Sequence, residues 1–384
     1  MSNETRRSEK RRSEVSRNGR SNPFKFGSIV DEPYFTNRRE ELKRIRSILE
    51  SQVHLILMSP RRYGKTSLIG KILKEIDRPS VTLDMQVVTS EVDFAEQLMK
   101  KICKLNPVQK IKNAIKSFRF IPNVSINPVS DELSVSFDSS KAADLILEDV
   151  LNLSDRIFTK NRPIVVFDEF QEIREISPRF ETRLRSILQH HTNTNYVFLG
   201  SQESLMRDIF EQKNNPFYHF GYLFKLSKIP KNEFQLFLEE RLKPAAENFA
   251  EIAQSILEFT DGHPHYTQRL AFQVWENFAG SMSGELKEPV SSAVEQIVEF
   301  HDVDYERWWN SLNRTDMKVM IGLTLSDDLP MSKEFSQHFD LGSSSTVHSS
   351  LKRLLKNSFV VRAKNNYEID DPFFKQWIFR RRKL

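Results

Sequence analysis

The chain has 384 residues, 39% of them hydrophobic and 28% charged, with 57 Lys+Arg against 52 Asp+Glu for a formal net charge of +5. Those proportions are ordinary for a globular chain of two or three domains. The single cysteine, Cys103, excludes an intrachain disulfide framework and a cysteine-based zinc site, no apolar run reaches membrane-spanning length, and the N-terminus carries no apolar signal region, so the expectation is a cytoplasmic protein.

Positive charge is concentrated at the start, where Arg6, Arg7, Lys10, Arg11, Arg12, Arg17 and Arg20 sit among polar residues. Residues 1–21 therefore read as a disordered basic leader, either a solvated tail or an electrostatic contact for nucleic acid. Ordered structure is expected from Asn22, with an amphipathic helix opening at Phe35–Leu42, running through Leu49 and capped by Asn37.

The run His54–Met58 predicts a buried strand, and Ser67–Leu73 predicts a helix. Between them lie Ser59, Pro60, Arg61, Arg62, Tyr63, Gly64, Lys65 and Thr66. A glycine-containing turn between strand and helix, ending Gly-Lys-Thr, is the pattern of a phosphate-binding P-loop. Unpaired N–H groups and the positive dipole end of the helix meet the phosphates. Lys65 reaches the outer phosphates, Thr66 offers a hydroxyl to magnesium, and Ser67 continues the helix start. Ser59 stands where the pattern has its first glycine, and a serine fits there if its φ stays negative.

A second strand is expected at Val81–Met85 and a helix over 92–104. Residues 116–138 show alternating apolar positions in Phe118–Ile126 and Leu133–Phe137, around the turn-rich Asn127–Asp131. This predicts a hairpin-like insertion, either a partner-binding arm or a structural flap. After a helix at Ala142–Phe158, the wholly apolar Pro163–Phe167 suits the centre of a parallel sheet and ends in Asp168 and Glu169. Paired acids at such a strand end match the demands of nucleotide hydrolysis: Asp168 to hold magnesium and Glu169 to activate water. A helix over 178–190 and a strand at Tyr196–Leu199 follow, and Ser201 and Gln202 beyond it either sense the γ-phosphate or make an ordinary turn. Strand–helix alternation predicts an α/β fold with a doubly wound parallel sheet, and Ser59, Asp168 and Ser201 all fall at carboxyl ends of strands.

The pattern is helical from residue 231. In Gly262–Gln268, His263 and Pro264 either approach the nucleotide from this helical lid or form a helix–helix corner. Arg174, Arg179, Arg183, Arg185 and Arg207 lie near the P-loop elements, and the sequence does not select an arginine finger among them. Helices at 316–325, 332–339 and 344–357, then Phe359–Arg362 and Tyr367–Ile369, predict a winged helix. Its third helix offers Ser344, Ser345, Thr346, His348, Ser349, Lys352, Arg353 and Lys356, its wing adds Arg362 and Lys364, and Arg380–Lys383 follow. These residue types suit DNA contact, although Glu368, Asp370 and Asp371 dilute the charge.

Taken together, the segments 22–27, 35–42, 59–68, 166–171, 200–202, 262–268 and 371–377 resemble the archaeal-type ATPase family of the STAND group, in the AAA+ division of P-loop NTPases. The resemblance covers residues 22–380. It implies a P-loop ATPase core at 22–230, a helical lid at 231–312 and a winged helix at 313–384, using ATP and Mg2+. It also implies Walker and sensor roles for Lys65, Thr66, Asp168, Glu169 and Ser201, and a lid role for Gly262, His263 and Pro264. Where many relatives place an arginine, this chain has His219, which implies slow hydrolysis, and Ser59 in place of the usual glycine implies nucleotide binding that survives in weakened form. The expected function is a nucleotide-controlled switch on DNA or a protein partner, with nucleotide-dependent self-association open. Two alternatives stand beside it: a DNA-binding regulator with a structural nucleotide, and an ATPase subunit of a defence- or toxin-type complex.

Overall fold

Leu55–Met58 forms strand β1, wholly buried, and it emerges from between two parallel neighbours. The computed structural model describes residues 21–36, 38–106, 108–126, 133–138, 142–158, 161–280, 288–363 and 366–382. They group into two bodies. One comprises Arg39–Arg61 and Lys65–Ser227; the other comprises the described residues of Met1–Arg38 and Lys228–Leu384, together with Arg62–Gly64.

In the first body β1 joins β2 (Ser80–Asp84), β5 (Ile164–Asp168), β6 (Asn195–Gly200) and β7 (Tyr222–Lys225) in one parallel sheet, order β2-β5-β6-β1-β7. The hairpin strands β3 (Asn123–Ile126) and β4 (Leu133–Ser136) pair antiparallel apart from it. The helices are α1 (Arg39–Glu50), α2 (Lys65–Glu75), α3 (Glu91–Lys104), α4 (Val108–Ile115), α5 (Ala143–Ile157), α6 (Ile173–Ile176), α7 (Phe180–Leu188) and α8 (Glu203–Glu211). The expected α/β fold with a doubly wound parallel sheet is the observed one.

The insertion and one sheet edge add local detail to the sequence expectation. Strand pairing in the insertion starts at Asn123 rather than Phe118, because the chain first makes α4 and Phe118 then packs inward. Val135 and Phe137 are buried in the sheet domain's core, and the Phe137 N–H donates to Glu96 Oε1 of α3 at 2.7 Å. The hairpin is thus packed on the sheet domain along β4; the turn predicted at Asn127–Asp131 lies outside the described residues, as do the cap Asn37 and residues 1–20. Edge strand β7 goes unseen in the sequence, being four residues long with both ends exposed.

In the second body, α9 (Lys231–Leu242), α10 (Phe249–Thr260), α11 (Pro264–Gly280), α12 (Pro289–Phe300) and α13 (Asp302–Asn310) lead to a winged helix. Its elements are α14 (Arg314–Leu325), α15 (Lys333–His338), α16 (Ser344–Lys356), the antiparallel pair β8 (Val360–Ala363) and β9 (Asn366–Ile369), and α17 (Pro372–Arg381). One apolar cluster runs through lid helices and winged helix alike, from Phe234 and Trp275 to Phe335 and Trp377. Trp377 is fully buried, stacks 5.8 Å from Phe374, and donates its indole N–H to Asp302 Oδ1 at 2.7 Å. Asp371 starts α17 by accepting from the N–H groups of Phe373 and Phe374 at 2.8 and 3.2 Å, with Pro372 in the first turn. No described helix is long and apolar enough to cross a membrane.

Phe198 on β6 is fully buried, with ring centroids of Phe170, Phe210 and Phe217 at 4.6, 5.3 and 5.6 Å. Truncating it leaves a cavity beneath the sheet that its neighbours cannot fill. The Phe198→Ala variant is expected to lose about 3–5 kcal/mol of stability, read from the midpoint of urea unfolding.

Candidate active site

The loop after β1 is tied to the end of β6, since the Ser59 N–H donates to the Gly200 carbonyl at 3.3 Å. Ser59 is fully buried and keeps a φ outside the positive region, as its replacement of glycine requires. The left-handed residues of the loop are instead Arg62 (φ 65°) and Gly64 (φ 86°). Glycine adopts such a φ freely, whereas for arginine it costs about 1–2 kcal/mol.

Lys65 opens α2 and folds back over the loop. Its Nζ donates to the carbonyls of Ser59 and Pro60 at 3.0 and 3.1 Å and approaches Ser59 Oγ at 3.4 Å. Burial pushes the ammonium down from the usual lysine range, and the carboxylates of Glu169, Asp168 and Glu203 oppose that. The lysine's direct hydrogen bonds go only to neutral loop groups, with the carboxylates acting at longer range, so its charge has no anion in direct contact. Thr66, next in the helix, donates its hydroxyl to Asp168 Oδ2 at 3.0 Å. Burial raises the Asp168 carboxyl, the Thr66 bond lowers it, and the Glu169 charge raises it again, with a net upward shift.

Glu169 sits at φ 51°, ψ 46°, where the chain leaves β5 for a short 3-10 turn at Phe170–Glu172. This left-handed turn carries its side chain toward β6. Glu169 Oε2 accepts from the Ser201 hydroxyl at 2.6 Å and the Ser201 N–H at 3.2 Å. Lys65, Thr66, Asp168, Glu169 and Ser201, predicted from separate segments, therefore stand together at the carboxyl end of one sheet. A hydroxyl beside a carboxylate is a hard-oxygen donor pair of the kind magnesium takes.

The remaining predicted residues fall elsewhere. Pro60 contributes its carbonyl to Lys65, Arg61 is exposed, and Ser67 is half-buried in the first turn of α2. Arg62 and Tyr63 belong to the second body. There the Tyr63 ring lies edge-on to His263 at 4.7 Å, and Arg62 donates to the Tyr266 hydroxyl at 3.3 Å. His263 is buried at the start of α11, directly before Pro264, and Gly262 takes φ 71° where a side chain would strike the Ile229 carbonyl. Part of the phosphate loop therefore packs with the lid motif. Four of the five candidate finger arginines are engaged: Arg174 by Glu181 and Asp208, Arg183 by Glu91 and Asp144, Arg185 against the Phe220 ring and Arg207 by Glu211. Arg179 is exposed, and His219, also exposed at φ 53°, stacks on Tyr218.

On α16, Ser344, Ser345, Thr346, His348, Ser349, Lys352, Arg353 and Lys356 all lie on the exposed face. Arg353 is tethered there, donating to Asp316 Oδ1 at 2.7 Å and Oδ2 at 3.2 Å. Arg362 stands on β8 over the Tyr367 ring, and Lys364 lies outside the described residues.

This strand–loop–helix, with acids at the end of β5 and β6 lying between β5 and β1, defines a P-loop NTPase. The chain belongs to the family described as ATPase domains predominantly from Archaea, whose profile matches residues 35–290; a profile for a probable winged helix domain matches 303–380. A Walker-type ATPase of Pyrococcus abyssi is similar in fold, with a TM-score of 0.66 and 18% identity over 93% of this chain and 99% of that one. The ORC2 protein of Aeropyrum pernix, in its ADPNP–ADP complexes, superposes with a TM-score of 0.52 and 15% identity over 93% and 96%. Comparison with curated proteins gives no match.

One polar cluster has no counterpart in the sequence reading. Asp370 and Asp371 end the wing beside Arg62 of the loop, and His263 Nε2 lies 3.8 Å from Asp370 Oδ1, both atoms buried without a hydrogen bond. Lys228 pairs with Glu368 and Asp261 close by. Burial and the Asp371 charge push the Asp370 carboxyl up to about 7, against the pull of Arg62 and Lys228. Burial holds His263 well below its usual value, so its imidazole is neutral and supplies no counter-charge. A carboxyl raised on folding favours the folded state below its unfolded value near 3.8 and loses that advantage as the pH climbs through about 7. The melting temperature of Asp370→Asn relative to the wild type is therefore expected to rise between pH 4 and pH 7 and to level off above pH 8, by calorimetry.

Proposed function

We propose that this protein binds ATP at the loop Ser59–Ser67 and hydrolyses it slowly, as a nucleotide-controlled switch of the STAND type. The observation that carries the reading is the convergence of Lys65, the Thr66–Asp168 pair and the Glu169–Ser201 pair at one sheet edge. In this reading Lys65 leaves the loop carbonyls for the outer phosphates, whose negative charge its ammonium meets directly. Thr66 and Asp168 would hold magnesium, which when bound neutralises charge on the phosphate oxygens. Glu169 orients the attacking water and takes its proton, while Ser201 fixes the carboxylate and reports on the γ-phosphate. His263 and Pro264 serve the nucleotide from the lid motif, a reading supported by the packing of Tyr63 on His263. The slow rate follows from His219, a ring in place of a guanidinium.

The output is the winged helix, and DNA is the partner its surface favours. The outward residues of α16 place hydroxyls and the ammonium groups of Lys352 and Lys356 along one face, with Arg362 on the wing. Such groups bind phosphates and read base edges. Arg353 is the exception, because contact with DNA would have to share it with Asp316.

Purified protein should turn over ATP with magnesium, faster when duplex DNA is added. Lys65→Ala should weaken ATP binding at least tenfold, and Glu169→Gln should keep binding while slowing turnover about a hundredfold or more. Wild-type turnover in Glu169→Gln would remove Glu169 from the chemistry. DNA affinity that ignores salt, or survives loss of Lys352 and Lys356, would move the partner from DNA to protein.

A further inference from the structure

Gln171 lies two residues beyond Glu169, in the 3-10 turn, and only 2% of its surface is exposed. Its amide nitrogen donates to Glu169 Oε2 at 2.7 Å and lies 3.3 Å from Glu172 Oε1. Oε2 of Glu169 thus receives three donors, from Gln171 Nε2, Ser201 Oγ and Ser201 N–H. Among the described residues no donor reaches Oε1. The orientation of the amide follows from its surroundings: with two carboxylates facing it, the NH2 end must point their way, since the carbonyl end would set oxygen against oxygen. The consequence shows at the other end of the group, where Gln171 Oε1 is buried without any hydrogen bond. A buried carbonyl left unpaired costs about 1–3 kcal/mol, and the fold tolerates it to keep the nitrogen on Glu169. Space for the amide is also provided. A Cβ at Gly200 would come within 2.9 Å of Gln171 Oε1 and 2.3 Å of Met206 Sδ, so the glycine ending β6 leaves room for it.

We propose that Gln171 is a positioning residue for hydrolysis, which, with Ser201, fixes Glu169 through its Oε2 so that Oε1 is the oxygen presented to water. This rests on the ATPase reading above. Glu169 lies in a left-handed conformation that its backbone does not favour, and its long side chain would otherwise sample several rotamers. Three donors converging on one oxygen select a single rotamer. They also divide the carboxylate's work between a structural oxygen and a free one, so that the free oxygen meets the water with its geometry already set. Glu172, the second carboxylate on the same amide, gives Gln171 a reason to be an amide, because an acid there would face two like charges.

Two variants and two readouts test this. Gln171→Met keeps the length of the side chain and removes both donors; Gln171→Glu keeps its shape and adds a charge. With ATP and magnesium, kcat should fall about tenfold in Gln171→Met and about a hundredfold in Gln171→Glu, with KM for ATP unchanged within about twofold. Crystal structures of the wild type and Gln171→Met without nucleotide should show the Glu169 carboxylate on Ser201 in the first and turned away from it in the second. A carboxylate that stays on Ser201 in Gln171→Met overturns the proposal, as does an unchanged kcat or a loss confined to KM. If the wild type itself hydrolyses nothing, the ATPase reading fails separately, and the two crystal structures alone decide the role of Gln171.

Discussion

Burial of β1 on both faces is the constraint from which the site follows. A four-residue strand with no exposed residue must lie inside the sheet, and in a parallel sheet its neighbours β6 and β7 run the same way. All carboxyl ends are thereby gathered at one edge, where the loop carrying Lys65 meets the acids of β5 and the serine after β6. Desolvation there raises the energy of each charge held alone: Lys65 is lowered and Asp168 is raised from ordinary values by burial. The residues relieve one another in part, through Thr66 on Asp168 and Ser201 on Glu169, while the lysine is held by the carbonyls of Ser59 and Pro60.

The winged helix gains its order differently. It does not close a core of its own: Tyr305 and Trp309 from α13 pack against Phe374 and Trp377 of α17, so the aromatic layer is continuous with the lid helices. Ion pairs reinforce the arrangement at its margin, between Arg380 and Glu295 and between Arg382 and Glu306. The basic residues at the end of the chain, which by composition suggest a nucleic-acid contact, are in part spent on these internal partners. The same is true of Arg353 on α16, held by a buried aspartate.

Patterns that repeat locally were legible. The uninterrupted apolar runs of β1 and β5, the Gly-Lys-Thr junction and the Asp-Glu pair each announce an element or a role within a few residues, and alternation of strands with helices orders them into the α/β sheet. Interactions that depend on distant partners were not. Asp316 meets Arg353 across two helices, and Asp370 meets His263 across more than a hundred positions; neither spacing has a period to detect. Gln171 was visible as part of Asp-Glu-Phe-Gln, yet its role depends on the left-handed turn at Glu169, which returns the next residues beneath the carboxylate. A polar residue two positions past the acid that follows β5 was the available signal. The hairpin was recognised by alternation, but its start was displaced because Phe118 and Phe120 keep the apolar rhythm of a strand while serving as packing after α4.

The outer strands of the sheet carry a further consequence. β2 and β7 are five and four residues long, and each ends on a charged residue, Asp84 or Lys225, with Lys225 paired to Glu203. The Arg44 guanidinium lies over the rings of Tyr222 and Phe224 and donates to the Tyr222 hydroxyl. Short margins closed by charge, and in β7 covered by a cation, offer a poor template to a foreign strand, because docking there would strip water from those charges without replacing it. For a chain with 29 phenylalanines built on a parallel sheet, a topology whose non-local pairings form late, such margins act against edge-to-edge pairing.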